Sequence, residues 1–376
     1  MNAAALWRRR LLGIHRWAGI LLGSHWLLLA ASGCFLVVHR EVEIAAVGAG
    51  AAVAPEAGVE RAIAAVRLTG ATPTRVMVQG DPARAYRVFA DRDGDPAIVM
   101  VDAASGAVLD TTPAGGGTSR SGWVRAIYKF HQQLLLGGAG ESLVGISGLF
   151  LLVTVVLGVK IGWPARRQWR ATLWPRLANN PRFKLQQLHR SVGLWIAAPL
   201  MLSAVTGMAT IWSSGLRAIL PVATSPAAAD LPGTPAISPS AAIQAARAAL
   251  PQGKFSRIDL PPTGERGYVV HLRQPGEARA FLGNSRTLID GGSGAVVQLR
   301  DTAALPWGDR VIDSLVPIHN GEWLGWAGRM VTMLTGLSLL GLAGSGVAVW
   351  ALSARRKRGS QAKAVTVDFA AAESKS

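Results

Sequence analysis

Leu12-Gly13-Ile14-His15-Arg16-Trp17-Ala18-Gly19 opens a long apolar run near the start of the chain. Gln187-Leu188-His189-Arg190-Ser191-Val192-Gly193 opens another in the second half. In both places a histidine stands where polar sequence meets apolar sequence. His131 and His319 form a second matched pair, each ahead of its own apolar run. Histidine is the usual axial ligand of haem iron in membranes, so the pattern predicts an electron carrier as well as a membrane protein.

Four stretches lack Asp, Glu, Lys and Arg over membrane-spanning length: Trp17 to Val38, Ser142 to Val159, Ser191 to Leu216 and Met330 to Ala354. A span needs about 20 mostly apolar residues. Half of the 376 residues are hydrophobic, more than an ordinary soluble chain carries.

The net charge of +17 suggests nucleic acid until its distribution is read. Arg8, Arg9, Arg10 and Arg16 flank the first span. Lys160, Arg166, Arg167, Arg170, Arg176, Arg182, Lys184 and Arg190 fill the middle connection. Arg355, Arg356, Lys357, Arg358 and Lys363 follow the last span. These clusters of four, eight and five equal the whole net charge. That is the positive-inside bias of a bacterial inner-membrane protein, with anionic lipid as partner of the flanks and no nucleic acid. Both termini and the middle loop are expected in the cytoplasm, and the two larger segments in the periplasm.

Cys34 is the only cysteine, so neither a disulfide framework nor a multi-cysteine metal site is expected. Ala31-Ser32-Gly33-Cys34 resembles a lipoprotein cleavage box, but the apolar run continues past it. The middle loop, with Trp163-Pro164, Trp169 and Trp174-Pro175, is too short for a nucleotide or flavin domain, and no phosphate-binding glycine motif occurs. Ser119-Arg120-Ser121-Gly122 and Gly292-Ser293-Gly294 read as turns, not nucleophile sites.

The chain reads as internally duplicated. His15 and His189 are each followed by glycine at 4 and 18 residues. His131 and His319 are each followed by glycine at 6, 9, 17 and 27 residues. The polar segments repeat as well. Val59 to Val66 and Ser240 to Arg247 predict amphipathic helices. Strand-like runs follow at 75–78, 85–89 and 98–102, and again at 257–260, 267–272 and 287–290. Each half then reaches a Ser-Gly-Ala-Val turn, at 105–108 and 293–296. The fold expected is a membrane α-helical four-span bundle with two α+β domains on one side.

Ile14-His15-Arg16-Trp17-Ala18-Gly19, Phe130-His131, Leu188-His189-Arg190 and Pro317-Ile318-His319-Asn320-Gly321 together resemble the PepSY-associated transmembrane helix family. The segments ending in Asp…Ser-Gly-x-Val resemble PepSY domains. The resemblance runs from about Arg8 to Arg358. It implies an iron-regulated membrane protein similar to haem-containing reductases of ferric siderophores. Some relatives carry a fused flavoprotein reductase, which has no counterpart here, so the donor stays open: a cytoplasmic protein or a quinol. The expected parts are a first span at 11–40 and a first PepSY-like domain at 41–122. An interfacial segment with the second span (123–163), a basic loop (164–188) and the third span (189–216) follow. A second PepSY-like domain (217–312), an interfacial segment with the fourth span (313–352) and a tail (353–376) complete the chain.

Two haem b groups are expected. Bis-imidazole ligation needs one neutral histidine on each side of the porphyrin. The topology puts His15 with His189 at the cytoplasmic edge. Three histidines compete for the two outer positions. The repeat favours His131 with His319, leaving His39 as substitute ligand or propionate partner. His25, inside the first span, reads as a buried histidine bonded to a carbonyl or hydroxyl, and His271 as surface or core filler. The glycines alone are equally explained by helix packing through small residues. The competing function is a non-enzymatic anchor whose PepSY domains bind a peptide, a protease or a transport partner.

Overall fold

The computed structural model describes residues 3–177, 179–223 and 231–373; side chains from residue 355 onward, the last cation cluster included, lie outside the described residues. The helices in the first half are α1 (Ala3–Leu21), α2 (Gly23–Val37), α3 (His39–Val47) and α4 (Val59–Leu68). Strands β1 (Thr72–Gln79), β2 (Ala85–Arg92), β3 (Asp95–Asp102) and β4 (Val108–Pro113) follow, then α5 (Gly122–Gln133) and α6 (Gly137–Gly162). The middle loop carries α7 (Trp169–Leu173). The second half runs α8 (Pro181–Ile211), α9 (Ser213–Ile219), α10 (Pro239–Ala249), β5 (Lys254–Asp259), β6 (Gly267–Arg273), β7 (Ser285–Asp290), β8 (Val296–Arg300), α11 (Trp307–Asn320) and α12 (Gly325–Glu373). The chain divides into two units.

The helical unit comprises Met1–Cys34, Ile146–Val205 and Val331–Ser376. Three stretches are long and apolar enough to cross a membrane: Gly137–Gly162, Pro181–Ile211 and Glu322–Ala354. α1 and α2 make a fourth if taken as one span, bent by 60°. The expected continuous first span is therefore broken, and the break falls at Gly23-Ser24, a pair that weakens a helix. Just past it, His25 Nε2 meets Ser147 Oγ at 2.9 Å and Trp26 Nε1 donates to the Ser147 carbonyl at 3.2 Å. Both bonds tie the bent segment to α6. Leu149, Phe150, Val153 and Val156 on α6, like Val331, Leu334 and Leu337 on α12, expose their apolar side chains, as lipid contact requires. Trp163 stacks edge-on with Trp169, and Trp174 with Trp195, at the ends of these helices. Tryptophan sits in this way at a membrane interface.

The sheet unit comprises Phe35–Gly145 and Thr206–Met330. Two separate small domains were expected. Instead all eight strands form one antiparallel sheet in the order β4-β3-β2-β1-β5-β6-β7-β8. The halves join where β1 pairs with β5, matching Arg75 with Asp259, Val76 with Ile258 and Met77 with Arg257. Arg75 also ion-pairs with Asp259 across this seam. β1 and β5 would each be an unpaired edge in an isolated half, and pairing them removes both edges.

One core serves both halves. α4 buries Val59, Ala62, Ile63 and Val66, the helical spacing of its sequence. α10 buries Ala242, Ile243 and Ala246 beside it, after an N-cap in which Ser238 Oγ accepts the Ala241 N–H. Both lie on a face built from Val76, Val88, Val99, Val101, Ile258, Val270 and Ile289. Tyr86 and Tyr268 occupy matching places, their hydroxyls donating to the Pro55 and Ile237 carbonyls at 3.0 and 3.1 Å. α3 covers the other face of the first half: Val47 packs on Ala85 and Met100, and Glu43 ion-pairs with Arg87. Hence β3 is buried on both faces from Ile98 to Asp102. The repeated Asp…Ser-Gly motif is a turn. Asp102 accepts the Ser105 N–H at 2.8 Å and Asp290 accepts the Gly292 N–H at 2.9 Å, with Gly106 and Gly294 at φ 78° and 80°.

Candidate functional site

Each expected histidine pair meets inside one unit. In the helical unit His15 on α1 faces His189 on α8, with ring centres 6.2 Å apart and planes at 83°. In the sheet unit His131, in the last turn of α5, faces His319, in the last turn of α11, at 6.3 Å and 45°. His39 does not join them. Its Nδ1 bonds the Leu36 carbonyl at 2.5 Å and its ring lies 6.4 Å from Tyr128. His25 takes the hydroxyl bond expected of it.

The hydrogen bonds fix the protons. The Thr154 carbonyl lies 3.0 Å from His15 Nδ1 and only accepts, so Nδ1 carries the hydrogen. Ser345 Oγ lies 3.0 Å from His189 Nδ1 and gives its own hydrogen to the Leu342 carbonyl at 3.1 Å. It therefore accepts from His189 Nδ1–H. In both rings the lone pair is then on Nε2, the state a metal-binding imidazole adopts. His319 Nδ1 lies 3.5 Å from Thr206 Oγ1, a longer version of the same arrangement.

The repeated glycines acquire separate causes. A Cβ on Gly158 would lie 3.0 Å from His15 Cε1, on Gly346 3.5 Å from His189 Cε1, and on Gly207 2.9 Å from His319 Cε1. The glycines placed 27 residues after one histidine pair thus make room for the rings of the other pair. The glycines 9 residues on serve the chain path: a Cβ on Gly140 would fall 1.8 Å from the Gln133 carbonyl oxygen, and on Gly328 2.2 Å from that of Gly321. The expected role of Gly19 beside its own histidine is not realised, since nothing lies within 4 Å of its Cβ position.

The arginine of the second His-Arg motif has a structural task. Arg190 Nε donates to the Gly162 carbonyl at 2.8 Å and so caps α6. Ser191 and Trp195 bond the Leu173 carbonyl, holding α7 against α8. Ser119 and Ser121 both bond Asp110, in keeping with a turn and not a nucleophile. Among the described residues no group of three or more His, Cys, Asp and Glu is clustered as a metal site.

Sequence reasoning passed over His271. It is buried and accepts from Arg257 at 2.7 Å, within a group of basic residues on β5 to β8. Only strand register, which no local pattern reveals, brings these residues together.

Apolar spans around paired histidines, with a large antiparallel sheet, define a multi-pass membrane protein in contact with lipid. The family comparison agrees: the model for the PepSY-associated TM region matches residues 12–352, and the chain belongs to that family. No curated protein matches the chain.

Proposed function

We propose that this chain is an inner-membrane b-type haem protein that carries electrons across the membrane to ferric iron, as a siderophore complex, in the periplasm. The observation that supports this most is the spacing of the two histidine pairs. An imidazole nitrogen sits about 2.0 Å from a bound metal and about 1.1 Å from its own ring centre, so two imidazoles sharing one iron have centres about 6.2 Å apart. The measured values are 6.2 and 6.3 Å. The donor set fits as well, because the His15 and His189 Nδ1 atoms are tied and Nε2 carries the lone pair.

Bound haem iron supplies reversible one-electron reduction. The protein's part is to hold and orient. His15 and His189 are expected to bind axially at the cytoplasmic edge, and His131 and His319 on the outer side, as the cation distribution requires. Thr154 and Ser345 fix the ring orientation of the first pair, and Gly158 and Gly346 keep its rings clear of neighbouring side chains. The planes differ between pairs, 83° against 45°, so iron in each would meet a different ligand field. The matching order of one helix and four strands in each half supports an origin by duplication into two PepSY-like domains.

The test is a reduced-minus-oxidised spectrum of the purified chain, with haem extracted and counted. About two haem b groups per chain are expected. A colourless, folded protein would overturn the proposal and favour the anchor reading. A subtler variant reports on orientation. Ser345→Ala removes the acceptor that steers His189 and is expected to speed haem loss to a scavenging apoprotein about tenfold, with the initial haem content kept.

A further inference from the structure

One row across the second half of the sheet is entirely basic. Arg257 on β5 pairs with His271 on β6, His271 with Arg286 on β7, and Arg286 with Arg300 on β8. All four lie on the face away from α4 and α10, because their neighbours Ile258, Val270 and Leu272 point into the core. The same row in the first half reads Met77, Arg87, Met100 and Asp110, with Arg87 paired to Glu43. Like charges directly across strands repel. The second half therefore carries a cost that the first half avoids.

The row forms the floor of a cavity of about 340 Å³, to which Arg217 on α9 and Arg279 from the β6–β7 loop add two more guanidiniums. Three carboxylates answer these five arginines. Asp259 pairs with Arg257 at 2.8 Å, Asp309 with Arg300 and Arg217 at 3.2 and 3.5 Å, and Asp313 with Arg300 at 3.5 Å. Among the described residues Arg279 and Arg286 have no carboxylate within 4.0 Å. The buried Nε atoms of Arg257 and Arg279 have no hydrogen-bond partner. Burial pushes the His271 imidazole below its ordinary value and the Asp313 carboxyl above its own, so neither offsets the surplus of guanidinium charge. Unpaired buried donors are costly, and a bound acceptor removes that cost. Guanidiniums in a fixed array match carboxylate oxygens two at a time.

We propose that this cavity binds a small carboxylate-bearing polyanion, and that the ferric complex reduced by this chain is an anionic carboxylate chelate. The second clause rests on the outward electron transfer proposed above. α11 links the two places: Asp313 lines the cavity, and His319 follows six residues later, about 9 Å along the helix. The volume suits a ligand of citrate size.

The test uses the full chain in detergent and gallium(III) citrate, which resembles the ferric complex but accepts no electron. Calorimetric titration is expected to show saturable binding that weakens as salt is added. Arg279→Gln and Arg286→Gln are each expected to weaken it about tenfold, and together about a hundredfold. A neutral gallium hydroxamate chelate is expected to bind no more weakly to the double variant than to the parent. The redox spectrum and melting temperature of the variants verify the fold. Citrate binding equal in parent and double variant would overturn the site. Displacement of the gallium complex by equimolar inorganic phosphate would overturn its assignment to a chelate. Because gallium binding needs no haem, the two proposals fail separately. A coloured protein that ignores citrate sinks this one alone, whereas a colourless protein that binds citrate keeps the anion site and sinks the electron transfer.

Discussion

His189→Ala is expected to remove about half of the reducible b-type absorbance while leaving a folded protein. The side chain supplies one Nε2 lone pair opposite His15, and no other histidine meets that pair. The second pair, His131 with His319, belongs to the other unit and keeps its own share. Truncation costs the fold one neutral hydrogen bond to Ser345, worth about 1 kcal/mol. Colour and stability are thereby separable. His319→Ala is expected to remove the other half, and the double variant to be colourless. The measurement is the α-band amplitude of the dithionite-reduced protein, beside a melting curve. Full absorbance in His189→Ala would show that this imidazole holds no iron.

The largest loss of stability is expected from Asp309→Ala. Asp309 is 1% exposed. Its carboxylate accepts the Ala223 N–H at 2.7 Å and meets Arg300 at 3.2 Å and Arg217 at 3.5 Å. Replacing such a cluster wholesale by apolar groups costs little, but removing one partner strands the others, at about 3–5 kcal/mol. Two guanidiniums and a backbone N–H lose their acceptor together. For a unit of this size that corresponds to a fall in melting temperature of about 10 °C. Asp309→Asn, which keeps an oxygen for Ala223, is expected to recover part of it. The check is thermal unfolding in detergent followed by circular dichroism. A melting point within about 2 °C of the parent would mean that the arginines are balanced elsewhere.

Much of the site is legible in the chain because it is periodic. Span length, the helix patterns at Val59 to Val66 and Ser240 to Arg247, and the alternating strands are local, and each appears in the structure near its expected place. The partner of each histidine is also legible, since matching glycine offsets assign His15 to His189 and His131 to His319. The break at Gly23-Ser24 is less so, because apolar composition continues across it. The partners of the glycines are not legible at all. Gly158 follows His131 in sequence but lies against His15 in space.

The sequence by itself determined which segments are helices and strands, where apolar surface lies, and which histidines correspond, because these follow from spacing within a few turns of chain. Tertiary structure alone decided that β1 and β5 pair, fusing two expected domains into one sheet, because the edges removed lie far apart in the chain. It also decided that Arg257, His271, Arg286 and Arg300 stand in one row. Hairpin register sets that alignment, and one residue of slip on any strand would turn its basic side chain to the opposite face.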